Sequence, residues 1–210
     1  MKKTIVYLLF ILCMVTTLSA GTGYSLGHYV SVAHLHNIFE QVKRTTDVSQ
    51  KALADTFAYY EKNRLKKRLS PKYIAIADYT KLAFNKRLYI INLYSGKVCR
   101  FLVAHGKNSG AVNGRVISAG NEKGSLKTPT GFFKIGTREG ISRTKGYRYL
   151  TVDGLQKENR NARDREILLH TAPYVSKGGR SFGCFAIDPR DKEHVFSRLR
   201  NALLYSYVGI

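Results

Sequence analysis

Apolar positions fall into two regimes along this chain, helical spacing before about residue 70 and strand-like alternation after it. Val32, Leu35, Phe39 and Val42 share one helical face. A second helix is expected from about Asp47, with Gln50 three residues on as its capping-box partner and Leu53, Phe57 and Tyr60 as its apolar stripe. It runs into the basic segment Lys62, Arg64, Lys66, Lys67 and Arg68, and Ser70-Pro71 ends it. β-formers then dominate Tyr73–Asp78, Arg87–Leu93 and Lys97–Ala104, and Ser95-Gly96 joins the last two as a hairpin. A Gly-, Ser- and Asn-rich stretch over 105–131 closes with Thr128-Pro129-Thr130-Gly131 and leads into a strand at 132–137. Further strands are expected at Tyr147–Val152, Glu166–His170 and Leu203–Val208. Before the last of them comes a helix at Pro189–Arg200, capped by Asp188, with Val195, Phe196 and Leu199 turned inward. The sum is a mainly β domain (α+β overall) over 71–210 behind a helical region over 22–70.

The first residues set the compartment. Lys2-Lys3, an apolar run from Thr4 to Leu18 and the small residues Ser19, Ala20 and Gly21 form an export-signal pattern over 1–21. A spanning helix needs about 20 apolar residues, so the run is short for a permanent anchor. Leu18 is a poor residue three before the end of the signal, so cleavage after Gly21 and an uncleaved inner-membrane anchor both stay open. A periplasmic or cell-envelope location is expected. With the signal removed, Cys99 and Cys184 remain, and an oxidising compartment favours pairing them. Their settings differ, an alternating strand for Cys99 and a Gly-rich turn for Cys184, and this favours two free thiols.

Composition narrows the partners. With 44% hydrophobic and 11% aromatic residues the 210-residue chain can build a core, which excludes disorder. Thirty-five Lys and Arg against 14 Asp and Glu leave a net charge of +21, which draws a protein to polyanions. Export and the lack of a binding motif exclude nucleic acid and leave transient contact with anionic membrane or wall polymer. A monomer is expected.

One constellation carries chemistry. Ile167-Leu168-Leu169-His170 ends a strand on a histidine, and fourteen residues later Gly179-Arg180-Ser181-Phe182-Gly183-Cys184 presents a thiol in a tight turn. A strand end aims a general base into a cleft. A free thiol with a pKa of about 8.5 is mostly protonated at neutral pH, and an imidazole with Arg180 nearby favours the thiolate. The backbone amides of Ser181, Gly183 and Cys184 can converge on an oxyanion. Ser142-Arg143-Thr144-Lys145 matches Ser-x-x-Lys, but without Ser-Asp-Asn or Lys-Thr-Gly it is set aside. His34 and His36 read as loop histidines, since no carboxylate or thiol cluster completes a metal site.

His170 and the Gly179–Cys184 turn resemble the YkuD-type L,D-transpeptidases, in particular the murein L,D-transpeptidase catalytic-domain branch. Ile74–Tyr79, Arg87-Leu88-Tyr89, Ala104-His105-Gly106-Lys107 and Thr130-Gly131-Phe132 resemble further stretches of that branch. Thr171 stands where the family commonly has Gly, Phe185 where the branch often has Pro, and Ala186 where many members have Arg. The resemblance implies a β-sandwich catalytic fold with one C-terminal helix, working without cofactor or metal. Cys184 would attack the bond after the third residue of a peptidoglycan stem peptide, commonly diaminopimelate. D-alanine would leave, and an amine of another stem would resolve the acyl-enzyme into a cross-link. His170 would act as base, with Arg180 and His105 touching substrate. Water as acceptor would instead give an L,D-carboxypeptidase or endopeptidase. A non-catalytic basic wall-binding protein is the reading from another class.

Overall fold

The computed structural model describes residues 29–210, so the expected signal segment lies outside the described part. Two helices come first, α1 (Val32–Thr45) and α2 (Gln50–Asn63). Leu35, Ile38 and Val42 are the buried residues of α1, while Phe39 packs at the edge of the same cluster. Val32, expected on the apolar stripe, is half exposed at the first helical position. The cap of α2 is Ser49, whose side chain accepts from the Ala52 amide, rather than Asp47. Tertiary partners claim the Asp47 carboxylate instead: Tyr89, Lys81 and Arg100 all donate to it. Burial works against charge on Asp47, but the hydrogen bonds from Lys81 and Tyr89 outweigh it and bring the carboxyl down to about 2. The group thereby ties the α1–α2 corner to the sheet. Helix α2 stops at Asn63, one residue into its basic run, and Arg68 turns the chain with a left-handed φ of 49°.

Eight strands form one sheet in the order β3-β2-β1-β8-β4-β5-β6-β7. They are β1 (Tyr73–Asp78), β2 (Leu88–Asn92), β3 (Val98–Phe101), β4 (Gly131–Ile141), β5 (Arg148–Gly154), β6 (Leu168–Thr171), β7 (Phe185–Ile187) and β8 (Leu203–Tyr207). Strand alternation sorts side chains to two faces. Ile74, Ile76, Tyr89, Ile91 and Leu203 join Leu35, Leu53, Phe57 and Tyr60 beneath α1 and α2. Ala75, Ala77, Leu88, Ile90 and Leu204 join Val195, Phe196 and Leu199 of α3 (Lys192–Leu199) on the other face. Leu169, Phe185 and Ile187, from the far end of the sheet, belong to that second cluster too. The sheet therefore curls over on itself, and the Ala104 amide closes the fold by donating to the Ala186 carbonyl at 2.9 Å. This gives the two-layered form expected for the domain, and it protects sheet edges that would otherwise be unpaired.

The departures are local. The C-terminal helix begins as a 3-10 turn at Pro189–Asp191, with Asp188 accepting from the Arg190 amide as its cap. Strand β4 continues to Ile141, past the expected end at 137. Both histidines expected in a loop lie on α1, where His34 Nε2 contacts the carbonyl oxygens of Leu93 and Tyr94 at 3.1 Å. Strand β7, immediately after the thiol, was not anticipated. It lies parallel to β6, with His170 level with Ala186.

Candidate active site

Parallel pairing of β6 with β7 brings the two chemistry-bearing residues together. Leu169 is opposite Phe185, which places Cys184 beside Leu168 and two positions before the partner of His170. Both Cys184 and His170 line one cleft of about 350 Å³, with Tyr147, Tyr149, Leu168, Tyr174, Arg180 and Phe182 around them. Cys99 is on β3 opposite Ile90, and both it and Cys184 are free thiols.

The imidazole is held in one tautomer. His170 Nδ1 lies 3.0 Å from its neighbour's carbonyl, Thr171 O, and a carbonyl only accepts, so Nδ1 carries the proton. Nε2 is left with its lone pair. Tyr147 stacks on the ring almost parallel, at 5.5 Å between centroids. Burial pushes the His170 pKa down, partly offset by the bond to Thr171, and keeps the ring neutral. Thr171 itself, where the family commonly has Gly, is buried, and its Oγ1 accepts from the Arg148 amide at 3.1 Å. This pins β6 to the end of β5.

The thiol is not pre-ionised. Cys184 Sγ donates to the Glu166 carbonyl at 3.5 Å, and it is closely surrounded by protein while still open to the cleft. Burial raises its pKa, while the Leu168 amide and the Arg165 charge pull the other way. Burial thus works against the thiolate that the imidazole and Arg180 were expected to favour. Arg165, two residues before the Ile167–His170 stretch, was missed in the sequence, since nothing there shows which way its side chain turns. It donates to the carbonyls of Gly120 and Lys127, each at 2.6 Å, and underlies the turn.

The turn is constrained throughout. Ser181 Oγ donates to the Cys184 carbonyl at 2.7 Å and accepts from the Gly183 amide at 3.1 Å. The Ser181 amide donates to His105 O at 2.9 Å. Two of the three amides expected to meet an oxyanion are thus committed within the resting site. Gly183 has φ +121°, a region open essentially to glycine alone. Phe185 stacks edge-on against Phe133 in the core, and Ala186 is fully buried, so neither reaches the cleft.

Arg180 lies at the cleft as expected, with Nη1 donating to the carbonyls of Lys107 and Gly110 at 2.8 and 2.9 Å. His105 does not. It is fully buried, and Nδ1 accepts from Arg87 Nη2 at 2.8 Å, so the expected substrate contact is corrected to an interior one. Burial first, then the Arg87 charge, lower its pKa to about 4. An unfolded chain takes up this proton near pH 6.5 and the folded one only near 4, so stability present above 6.5 is lost as pH falls between them. Unfolding followed from pH 7 to 4 is expected to show a loss on the order of 3 kcal/mol from this residue. A His105→Gln variant with an unchanged pH slope would contradict the assignment.

The Ser142–Lys145 stretch, set aside as a catalytic motif, belongs to the turn between β4 and β5, and both residues stand on the cleft wall. Only tertiary folding brings this hairpin to the thiol. Next to the cleft is a second depression of about 390 Å³, lined by Arg143, Arg163, Glu166 and Ile167 among others, and sharing Ser142, Tyr149 and Leu168 with the first.

A family model described as an L,D-transpeptidase catalytic domain matches residues 44–207. The chain belongs to that family. Among solved structures it is similar to the helical cell shape determining protein Pgp2 from Campylobacter jejuni, at 18% identity and a TM-score of 0.40 over 64% of this chain and 48% of that one. An L,D-transpeptidase from Mycobacterium tuberculosis is similar at 14% identity and a TM-score of 0.37, over 64% of this chain and 57% of the other. The chain spans about half the length of these proteins. No curated relative matches the sequence. The family model begins at residue 44, so it takes in α2 as well as the sheet and runs to the end of β8.

Proposed function

We propose that this L,D-transpeptidase-family domain is a cysteine transpeptidase of the bacterial envelope, acting on peptidoglycan stem peptides. The observation that carries this reading is the shared cleft of Cys184 and His170, with His170 held as the tautomer whose Nε2 is free to accept a proton. A neutral pair suits a general-base mechanism. As the sulfur attacks the carbonyl carbon of the third stem residue, its proton passes to His170 Nε2. The oxyanion is assigned to the Cys184 amide, since Ser181 and Gly183 use theirs elsewhere. Collapse breaks the peptide bond, and the imidazolium protonates the departing D-alanine amine. An acceptor amine then attacks the thioester, giving a proton to His170, and that proton returns to sulfur. Arg180 and Lys145 make the rim positive, which suits a carboxylate-bearing stem.

Water in place of the amine would make the same site an L,D-carboxypeptidase or endopeptidase. The second depression favours the amine, because it offers an acceptor strand its own approach beside Glu166 and Leu168. Incubation with a tetrapeptide stem is expected to release D-alanine and yield cross-linked dimers, with both products lost in Cys184→Ala. Release that persists in that variant overturns the assignment. Trimmed stems without dimers move it to the hydrolase.

A further inference from the structure

Two stretches noted in the sequence, Arg87-Leu88-Tyr89 and Ala104-His105-Gly106-Lys107, meet in the interior although the thiol mechanism uses neither. Arg87 is fully buried, a costly place for a cation, and no carboxylate forms an ion pair with it among the described residues. Asp78, the acidic group whose charge acts on it, is committed to the Ser49 amide and to Thr80. Arg87 spends its donors on Val103 O at 3.1 Å, Lys81 O at 2.7 Å, Gly114 O at 3.3 Å and His105 Nδ1 at 2.8 Å. Its guanidinium lies 4.8 Å over the Tyr79 ring.

Such a fork fixes several backbone points at once. It also fixes the His105 tautomer, since an Nδ1 that accepts leaves the proton on Nε2. That atom is buried and held against the backbone of Gly110 and Ala111, whose hydrogen bonding supports its proton, and the loop closes on it so tightly that a Cβ at Gly110 would lie 3.3 Å away. The ring thus bridges Arg87 on one nitrogen to the 105–110 loop on the other.

The role of this bridge lies one layer out. Residues 105–110 form the bed on which the nucleophile turn is laid. Ser181 N donates to His105 O, Lys107 N donates to Ser181 O, and Arg180 Nη1 reaches both Lys107 O and Gly110 O. Lys107 Nζ sits over the Phe182 ring at 5.0 Å. The far side of the bed is fastened by Thr128, whose Oγ1 accepts from Gly106 N. We propose that Arg87 and His105 are a buried pair of positioning residues that sets the height of the 105–110 loop, and through it the placement of Arg180 and Cys184. Neither touches substrate. The proposal rests on Cys184 as the reacting group, and the test separates the two.

The full chain, His105→Leu and His105→Gln are compared below their melting temperatures. Glutamine can accept from Arg87 through its amide oxygen and face the Gly110 carbonyl with its NH₂; leucine can do neither. Two rates are read: adduct formation with a carbapenem by intact mass, and iodoacetamide alkylation of Cys184 against pH, resolved from Cys99 by peptide mapping. His105→Leu is expected to slow acylation on the order of a hundredfold, as for a reacting group displaced by about 1 Å. It also moves the alkylation profile, and His105→Gln restores most of both. A purely structural histidine would lower the melting temperature and leave both rates of the folded protein unchanged, which would overturn the proposal. Should the leucine variant not fold, Arg87→Lys, which keeps a cation but loses the fork, is measured in the same way and read by the same outcomes. A wild-type chain that no carbapenem acylates defeats the transpeptidase reading instead, while the alkylation profiles still decide for or against the pair.

Discussion

His170→Ala is expected to slow acylation of Cys184 by about 10²–10⁴-fold with the fold intact, which makes it the most informative single substitution. The resting thiol is protonated, its pKa raised by burial, and it donates to the Glu166 carbonyl rather than to the imidazole. The loss of its proton therefore coincides with attack, and the nearby imidazole is the group assigned to receive it. If the thiol were a standing thiolate stabilised by Arg165 and the Leu168 amide alone, the histidine would matter much less. Single-turnover acylation by a carbapenem, followed by mass, reads the step directly. A loss under about tenfold would place the base elsewhere. His170→Gln adds a control, since its amide can retain the bond to Thr171 O without supplying a base.

Gly183→Ala is expected to damage both folding and chemistry. Its φ of +121° is strained for any side chain, at roughly 1–3 kcal/mol. The added Cβ would lie 2.7 Å from Lys127 O, a backbone atom, and 2.9 Å from Arg165 Nη2. Neither neighbour yields easily, because Arg165 Nη2 is itself bonded to Lys127 O at 2.6 Å. Relief can come only by moving the turn, and a shift of about 1 Å at the sulfur costs on the order of a hundredfold in rate. Thermal unfolding and carbapenem acylation, measured on the same sample, should both fall. Wild-type acylation at a lowered melting temperature would show that the turn tolerates displacement.

The helical and strand regimes were legible because burial follows period. Ile74 to Ala77 alternate between two cores, and Leu53, Phe57 and Tyr60 form one stripe beneath the sheet. Caps and ends were less legible, since they depend on partners far away in sequence. Asp47 looks like a cap until Tyr89, Lys81 and Arg100 claim its carboxylate, and Ser49 then takes the role. Strand β7 has three residues, too few to show a period. That Cys184 and His170 would lie close together was legible, because a strand end and a tight turn fall within one short segment. His105 was misplaced because a histidine before a glycine carries no mark of burial. Only the fold brings Arg87 to it. The cleft wall from the β4–β5 hairpin, and the bonds of Arg165 to Gly120 and Lys127, were hidden for the same reason.

The most direct measurement is the intact mass of the chain after exposure to a carbapenem, followed by a peptide map. One adduct per chain, on the peptide that contains Cys184 and absent from Cys184→Ala, is the expected result. A chain that stays unmodified, or that carries the adduct on Cys99, would contradict the account.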